Sequence, residues 1–196
     1  MDLPDRITNR LYNTMDAIGS TIESSTDDIV AAADILFECL MQEGKVLTCG
    51  NGASSNILQH FSTLLLNQVN FTRPALPTLP LINDPALLTG IADDNGFSEI
   101  YRRQIEAYGK PEDVLLLVSA NSPSDSLVQA AAAAIDAEIP VIALLGNDTS
   151  GFGQLEPHIN TLIKIPYQDS LLIHEAHLLV LHSLCDLIEY QLFGDE

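Results

Sequence analysis

Basic side chains are scarce. Lysine and arginine together number 8 against 27 aspartates and glutamates, a formal net charge of −19. Lys and Arg make the phosphate contacts of nucleic-acid binders, so this balance argues against direct nucleic-acid binding and against an anionic membrane surface. Cysteine is also sparse. Cys39, Cys49 and Cys185 are odd in number, lie in apolar contexts and show no C-x-x-C spacing. They read as buried free thiols in a reducing, cytoplasmic compartment. No uninterrupted apolar run of about 18 residues occurs, so no transmembrane helix is expected. Met1-Asp2-Leu3-Pro4-Asp5-Arg6 has neither the basic nor the apolar region of a signal peptide.

What is present is a globular chain. Its 196 residues, 46% of them hydrophobic, suffice for one domain with a sizeable core. Apolar residues at Ile7, Leu11, Met15, Ile18 and Ile22 form a helical stripe. Ser25 with Asp28 reads as a box-like cap opening a second helix that runs to about residue 43, with Gly44 as its stop. Two amphipathic helices exceed what one small sheet can cover. Residues 1–44 are therefore expected to serve oligomerisation, and residues 45–196 to form an α/β core.

Strands are expected at 45–49, 113–119, 140–145 and 160–165, with a short edge strand near 76–82 among four prolines. Helices are expected at 54–69, 96–108, from a Ser122 N-cap through 137, and 170–192, with one or two turns at 86–92. The fold class is α/β: a three-layer sandwich around a five-stranded parallel sheet, flavodoxin-like, preceded by two N-terminal helices. In such folds ligands bind outside the carboxyl ends of the strands, here Gly50-Asn51-Gly52, Ser119-Ala120-Asn121 and Gly146-Asn147-Asp148. The first of these runs into Ala53-Ser54-Ser55, a strand-turn-helix suited to an anion.

Several stretches, in order, resemble the sugar isomerase (SIS) domain family. They are C-G-N-G-A-S-S-N-x-x-Q-H-F at 49–61, R-P-A-L-P at 73–77, A-D-D at 92–94, D-V-L-L at 113–116, and H-E-x-H followed by L-C-D-L-I towards the C-terminus. Two sister groups are similar to the chain over nearly its whole length: phosphoheptose isomerases, and non-enzymatic proteins that associate with the DnaA replication initiator. Both groups are homotetramers with sites between subunits. The resemblance implies sugar-phosphate contacts at Asn51, Gly52, Ala53, Ser54, Asp93, Asp94, Ser119, Ala120, Asn121 and Ser124.

The resemblance also exposes departures. In the isomerases a histidine and, four residues on, a glutamate act with a Gln and a His of the last helix around zinc. The histidine matches His60, but the glutamate position is Leu64. The Gln position is His174 and the final His is His182. His60, His174 and His182 are thus possible zinc ligands, or polar residues lining a subunit seam, and His60 and His182 are the catalytic candidates if the chain is an isomerase. Eight residues separate His174 from His182, roughly 12 Å along a helix, which strains a shared ion. His177 fits a core or interface position equally well. Ser119-Ala120-Asn121-Ser122-Pro123-Ser124 keeps hydroxyls where the isomerases bind phosphate but lacks their Thr and Gly-Asn.

Leu192 and Phe193 at the C-terminal end either tuck onto the subunit or contact a partner. On these departures the expected function is a non-catalytic homotetrameric adaptor for the DnaA initiator in replication initiation, with a residual sugar-phosphate pocket. The alternative is a sedoheptulose 7-phosphate isomerase with a rearranged, His-rich site.

Overall fold

The computed structural model describes residues 2–69 and 71–194. Five parallel strands form one sheet in the order β2-β1-β3-β4-β5. They are β1 (Val46–Gly50), β2 (Thr78–Pro80), β3 (Val114–Ser119), β4 (Val141–Leu145) and β5 (Thr161–Lys164). The helices are α1 (Leu3–Met41), α2 (Ala53–Leu66), α3 (Pro85–Asn95), α4 (Arg102–Tyr108), α5 (Asp125–Asp136) and α6 (Ser170–Phe193).

Because successive strand residues point to opposite faces, each apolar strand feeds two cores. Val46, Val114, Leu116, Val118, Ile142, Leu144 and Ile163 pack beneath α1, α2 and α6. Leu47, Cys49, Leu115, Leu117, Val141, Ala143 and Leu145 pack against the opposite layer, which includes Tyr101, Ile105 and the alanines of α5. All three cysteines are buried free thiols, and burial pushes Cys39 and Cys185 up to about 12. The chain leaves β1 for β2 on one side and reaches β3 on the other. The topological switch point therefore lies between the ends of β1 and β3, at Gly50 and Ser119.

Three local expectations are corrected. The two N-terminal helices are one continuous helix, α1. Ser25 does not cap a new helix: its hydroxyl is turned inward and donates to the Lys164 carbonyl at 3.0 Å. Neighbouring hydroxyls of Thr21, Ser24 and Thr26 donate back to carbonyls four residues earlier, which the helix tolerates. The expected helix over 96–108 is split, because Gly96 takes φ +97° and a 3₁₀ turn at Phe97–Glu99 precedes α4. The N-cap of α5 is Ser124 rather than Ser122. The Ser122 hydroxyl instead accepts from the Gly151 amide at 3.0 Å.

Helix α6 is long and apolar enough to span a membrane by length and composition, with a mean hydropathy of 1.5. Half of that window is buried, against α1, α2 and the sheet, as in the core helix of a folded domain. Its N-terminus is capped by Asp169, whose carboxylate accepts from the Leu171 amide at 2.9 Å. Arg10 ties the start of α1 to this end through Asp169 at 3.1 Å and Glu175 at 3.0 Å.

Candidate functional site

Helices α2 and α6 run side by side in the same direction, and three polar contacts join α6 to α2 and the segment just after it. At the first, the Ser54 hydroxyl lies 3.4 Å from His174 Nε2. At the second, His60 Nε2 lies 2.9 Å from His182 Nε2, with the rings edge-on at 65°. At the third, Glu189 accepts from the Val69 amide at 3.2 Å and from Arg73 Nε at 2.6 Å. The histidine pair lines a cavity of about 960 Å³ between α1, α2 and α6, with Leu64, Ile22, Ile29 and Leu179 among its apolar walls.

Nε2 to Nε2 at 2.9 Å is a hydrogen bond between imidazoles, so one ring carries its proton on Nε2 and the other presents a lone pair there. Burial, aided by the nearby His60 charge, holds His182 below the ordinary histidine range. His174 is lowered as well, by burial. His177 is fully buried and has no hydrogen bond to either ring nitrogen. Burial pushes it down to about 4, outweighing the pull of the Leu145 backbone.

The strand-end loops converge at the switch point. Gly52 takes φ +58° where β1 turns into α2. Gly50 is packed so tightly that a Cβ there would stand 3.0 Å from the Val118 carbonyl oxygen and 3.1 Å from Leu58. Asn51 Nδ2 donates to Ser124 Oγ at 2.8 Å and to Ser126 Oγ at 3.0 Å, tying the first loop to the start of α5. The Tyr101 hydroxyl, buried beneath, donates to the Gly50 carbonyl at 2.7 Å and approaches Asn51 Oδ1 at 3.0 Å. Ser119 Oγ accepts from the Asn121 amide at 3.4 Å, and Ala120 is buried between β3 and the Gly146 turn.

The structure therefore brings Asn51, Gly52, Ala53, Ser54, Ser119, Ala120, Asn121 and Ser124 to the carboxyl ends of β1 and β3. Asp93 and Asp94 lie apart, exposed on α3. Asp94 lines a separate cavity of about 450 Å³ that also includes Arg103 and Gln104.

One grouping is corrected. His60, His174 and His182 do not converge: His174 sits with Ser54, two turns from the pair. Among the described residues no cluster of three or more His, Cys, Asp or Glu side chains could hold a metal. The pair alone does not complete a zinc site. Two nitrogens on one tetrahedral zinc, each about 2.0–2.1 Å from it, stand about 3.3 Å apart and need further donors. Here the nitrogens are at hydrogen-bond distance and the next α2 residue on that face is Leu64. Leu192 and Phe193 tuck onto the subunit: both are half-buried against the core, and the Phe193 ring meets Phe71 edge-on at 5.8 Å.

Tyr101, Ser126, Arg73 and Glu189 escape sequence reasoning because each acts through residues distant in the chain. Only the R-P-A-L-P stretch, which includes Arg73, carried a signal.

The SIS domain family model matches residues 11–146. The chain belongs to the SIS domain family. It is 41% identical over 194 residues to the phosphoheptose isomerase of Chromohalobacter salexigens, covering 99% of this chain and 98% of that one. It is 37% identical to the phosphoheptose isomerase of Methylococcus capsulatus over the full length of both. Among solved structures, a phosphoheptose isomerase from Francisella tularensis superposes with a TM-score of 0.88 at 36% identity, covering 96% of this chain and 98% of that one. The Neisseria gonorrhoeae phosphoheptose isomerase gives 0.87 at 30% identity, covering 96% and 99%. These full-length relatives overturn the expectation of a non-catalytic adaptor for replication initiation. That expectation rested on Leu64 in the glutamate position, His174 in the Gln position and the altered Ser119–Ser124 loop, taken together as the loss of the isomerase machinery. Imidazoles can themselves give and take protons.

Proposed function

We propose that the chain is an aldose–ketose isomerase acting on a phosphorylated heptose of the sedoheptulose 7-phosphate type. The observation that carries this reading is the His60–His182 hydrogen bond at 2.9 Å. Isomerisation moves a proton between adjacent carbons through an enediol and needs one group to remove it and one to protonate the carbonyl oxygen. A neutral imidazole pair sharing one proton meets both needs. Substrate breaks the hydrogen bond between the rings: the Nε2 lone pair of one takes the carbon-bound proton, and the other donates its Nε2 proton to the carbonyl oxygen. The protonated base then delivers its proton to the adjacent carbon, while the other enediol hydroxyl returns a proton to the acid ring and becomes the new carbonyl.

The phosphate belongs at the carboxyl ends of β1 and β3, at the Asn51–Ser54 turn and the Ser119–Ser124 loop. Six residues of α2 separate Ser54 from His60, about 9 Å, a separation that a seven-carbon sugar phosphate can bridge. Asp93 and Asp94, apart from these loops in a single chain, are proposed as contacts completed in the assembly. The exposed apolar stripe of α1 (Leu3, Ile7, Leu11, Met15 and Ile22) supports self-association, and the assembly proposed is a cytoplasmic homotetramer.

The test is turnover of sedoheptulose 7-phosphate by purified protein, beside a His182→Ala variant. Turnover by the wild type that the variant lacks supports the reading. Equal rates contradict it.

A further inference from the structure

The third contact, between α6 and the segment that follows α2, is built differently from the other two. Arg73 and Glu189 are buried, their side chains 1% and 3% exposed, and are joined at 2.6 Å. The guanidinium does more than pair. Nη2 donates to the Leu64 carbonyl at 2.9 Å, and Nη1 to the carbonyls of Leu65 at 2.9 Å and Pro74 at 3.0 Å. Leu64 and Leu65 close α2, where helix carbonyls lack intrahelical partners and a cation is favoured. Glu189 Oε1 also accepts the Val69 amide just beyond that helix end. The ion pair thus clamps the end of α2 onto α6.

The clamp and the histidine pair occupy successive positions of the same contact. His60 lies one turn before Leu64 on α2. His182 lies seven residues before Glu189, two turns along α6 and on the same face. A change in the axial register or spacing of the two helices at the clamp moves the histidines relative to each other. The hydrogen bond between two rigid rings tolerates little such movement.

We propose that Arg73 and Glu189 are positioning residues that hold His60 and His182 in proton-transfer register. This rests on the isomerase reading for its catalytic consequence, but its geometric consequence stands apart from it. Buried ion pairs can often be replaced by apolar residues of similar volume without loss of stability, which separates positioning from mere support.

The experiment uses the double variant Arg73→Met/Glu189→Leu, with Arg73→Lys as a second variant that keeps the charge but not the planar fork. Each is checked for fold by circular dichroism, and two properties are measured: steady-state kinetics, and the titration of the His60 and His182 rings by NMR. Positioning predicts a folded protein whose kcat falls at least ten-fold, with KM within two-fold of wild type. It also predicts that the two rings, hydrogen-bonded in the wild type, titrate independently in the variant. A folded variant with wild-type kcat and coupled rings overturns the proposal. Should the wild type show no turnover, the isomerase reading fails alone and ring titration decides the positioning. Should the double variant not fold, Arg73→Lys decides by the same two measurements.

Discussion

His60 and His182 meet Nε2 to Nε2 at 2.9 Å, from helices 122 residues apart in sequence. Both rings are solvent-accessible, so truncating either removes chemistry with little cost to the core. His60→Ala and His182→Ala are each expected to lower kcat about 10²- to 10⁴-fold, the usual range for a general acid or base. Circular dichroism and Tm should stay close to wild type. The pH profile has a defined sign. The base must be neutral, and His182 is held below its ordinary value of 6.5. The acid limb of kcat/KM should therefore fall below pH 6.5, and His60→Ala, which removes the neighbouring imidazole's charge, should shift it upward.

Leu64 stands one turn from His60 and lines the same cavity as both histidines. Leu64→Glu adds an anionic oxygen donor to two imidazoles, a His₂Glu set suited to zinc. Calorimetric titration should show zinc binding at least ten-fold tighter than in the wild type. An unchanged affinity would mean that residue 64 cannot reach the pair.

Tyr101 supports the phosphate-side loop from beneath, through Gly50 at 2.7 Å and Asn51 at 3.0 Å. Tyr101→Phe removes the one hydroxyl serving both and should cost about 1–3 kcal/mol in denaturant unfolding. Asn51→Ala cuts the tie to Ser124 and Ser126 and should raise KM for the sugar phosphate several-fold with a smaller change in kcat.

His177 makes stability pH-dependent. Its folded value is about 4 against 6.5 when exposed. The folded state keeps the ring neutral while the unfolded chain takes up a proton, so this stability is complete above pH 6.5 and is lost as pH falls towards 4. The gap corresponds to roughly 3 kcal/mol, at about 1.36 kcal/mol per pH unit. His177→Leu, which leaves no unpartnered ring nitrogen, should lose less stability than wild type between pH 6.5 and 4 in urea titrations. Parallel pH curves for the two proteins would contradict this.

Much of the architecture was legible in the residues. Continuous apolar runs such as Val114–Val118 identified strands covered on both faces, and the Gly50-Asn51-Gly52 turn located the ligand end of the sheet. Ser25 misled because a serine hydroxyl serves a tertiary partner as readily as a helix cap; here the Lys164 carbonyl took it. At the site, His60 and His182 were legible as candidates, but their pairing was not, since it depends on the relative axial position of α2 and α6. His174 looked like a third member of the set until its position beside Ser54 separated it from the pair. Leu64 weighed too heavily, because the absence of a carboxylate says nothing of what two imidazoles do together.

The central claim is that the His60–His182 pair moves a proton between sugar carbons. It is tested most directly by incubating the protein with sedoheptulose 7-phosphate in D₂O and following the C1 and C2 positions by NMR. Deuterium incorporation by the wild type, reduced at least 100-fold in His60→Ala, is the predicted result. Incorporation at the same rate with and without His60, or none with either protein, would contradict it.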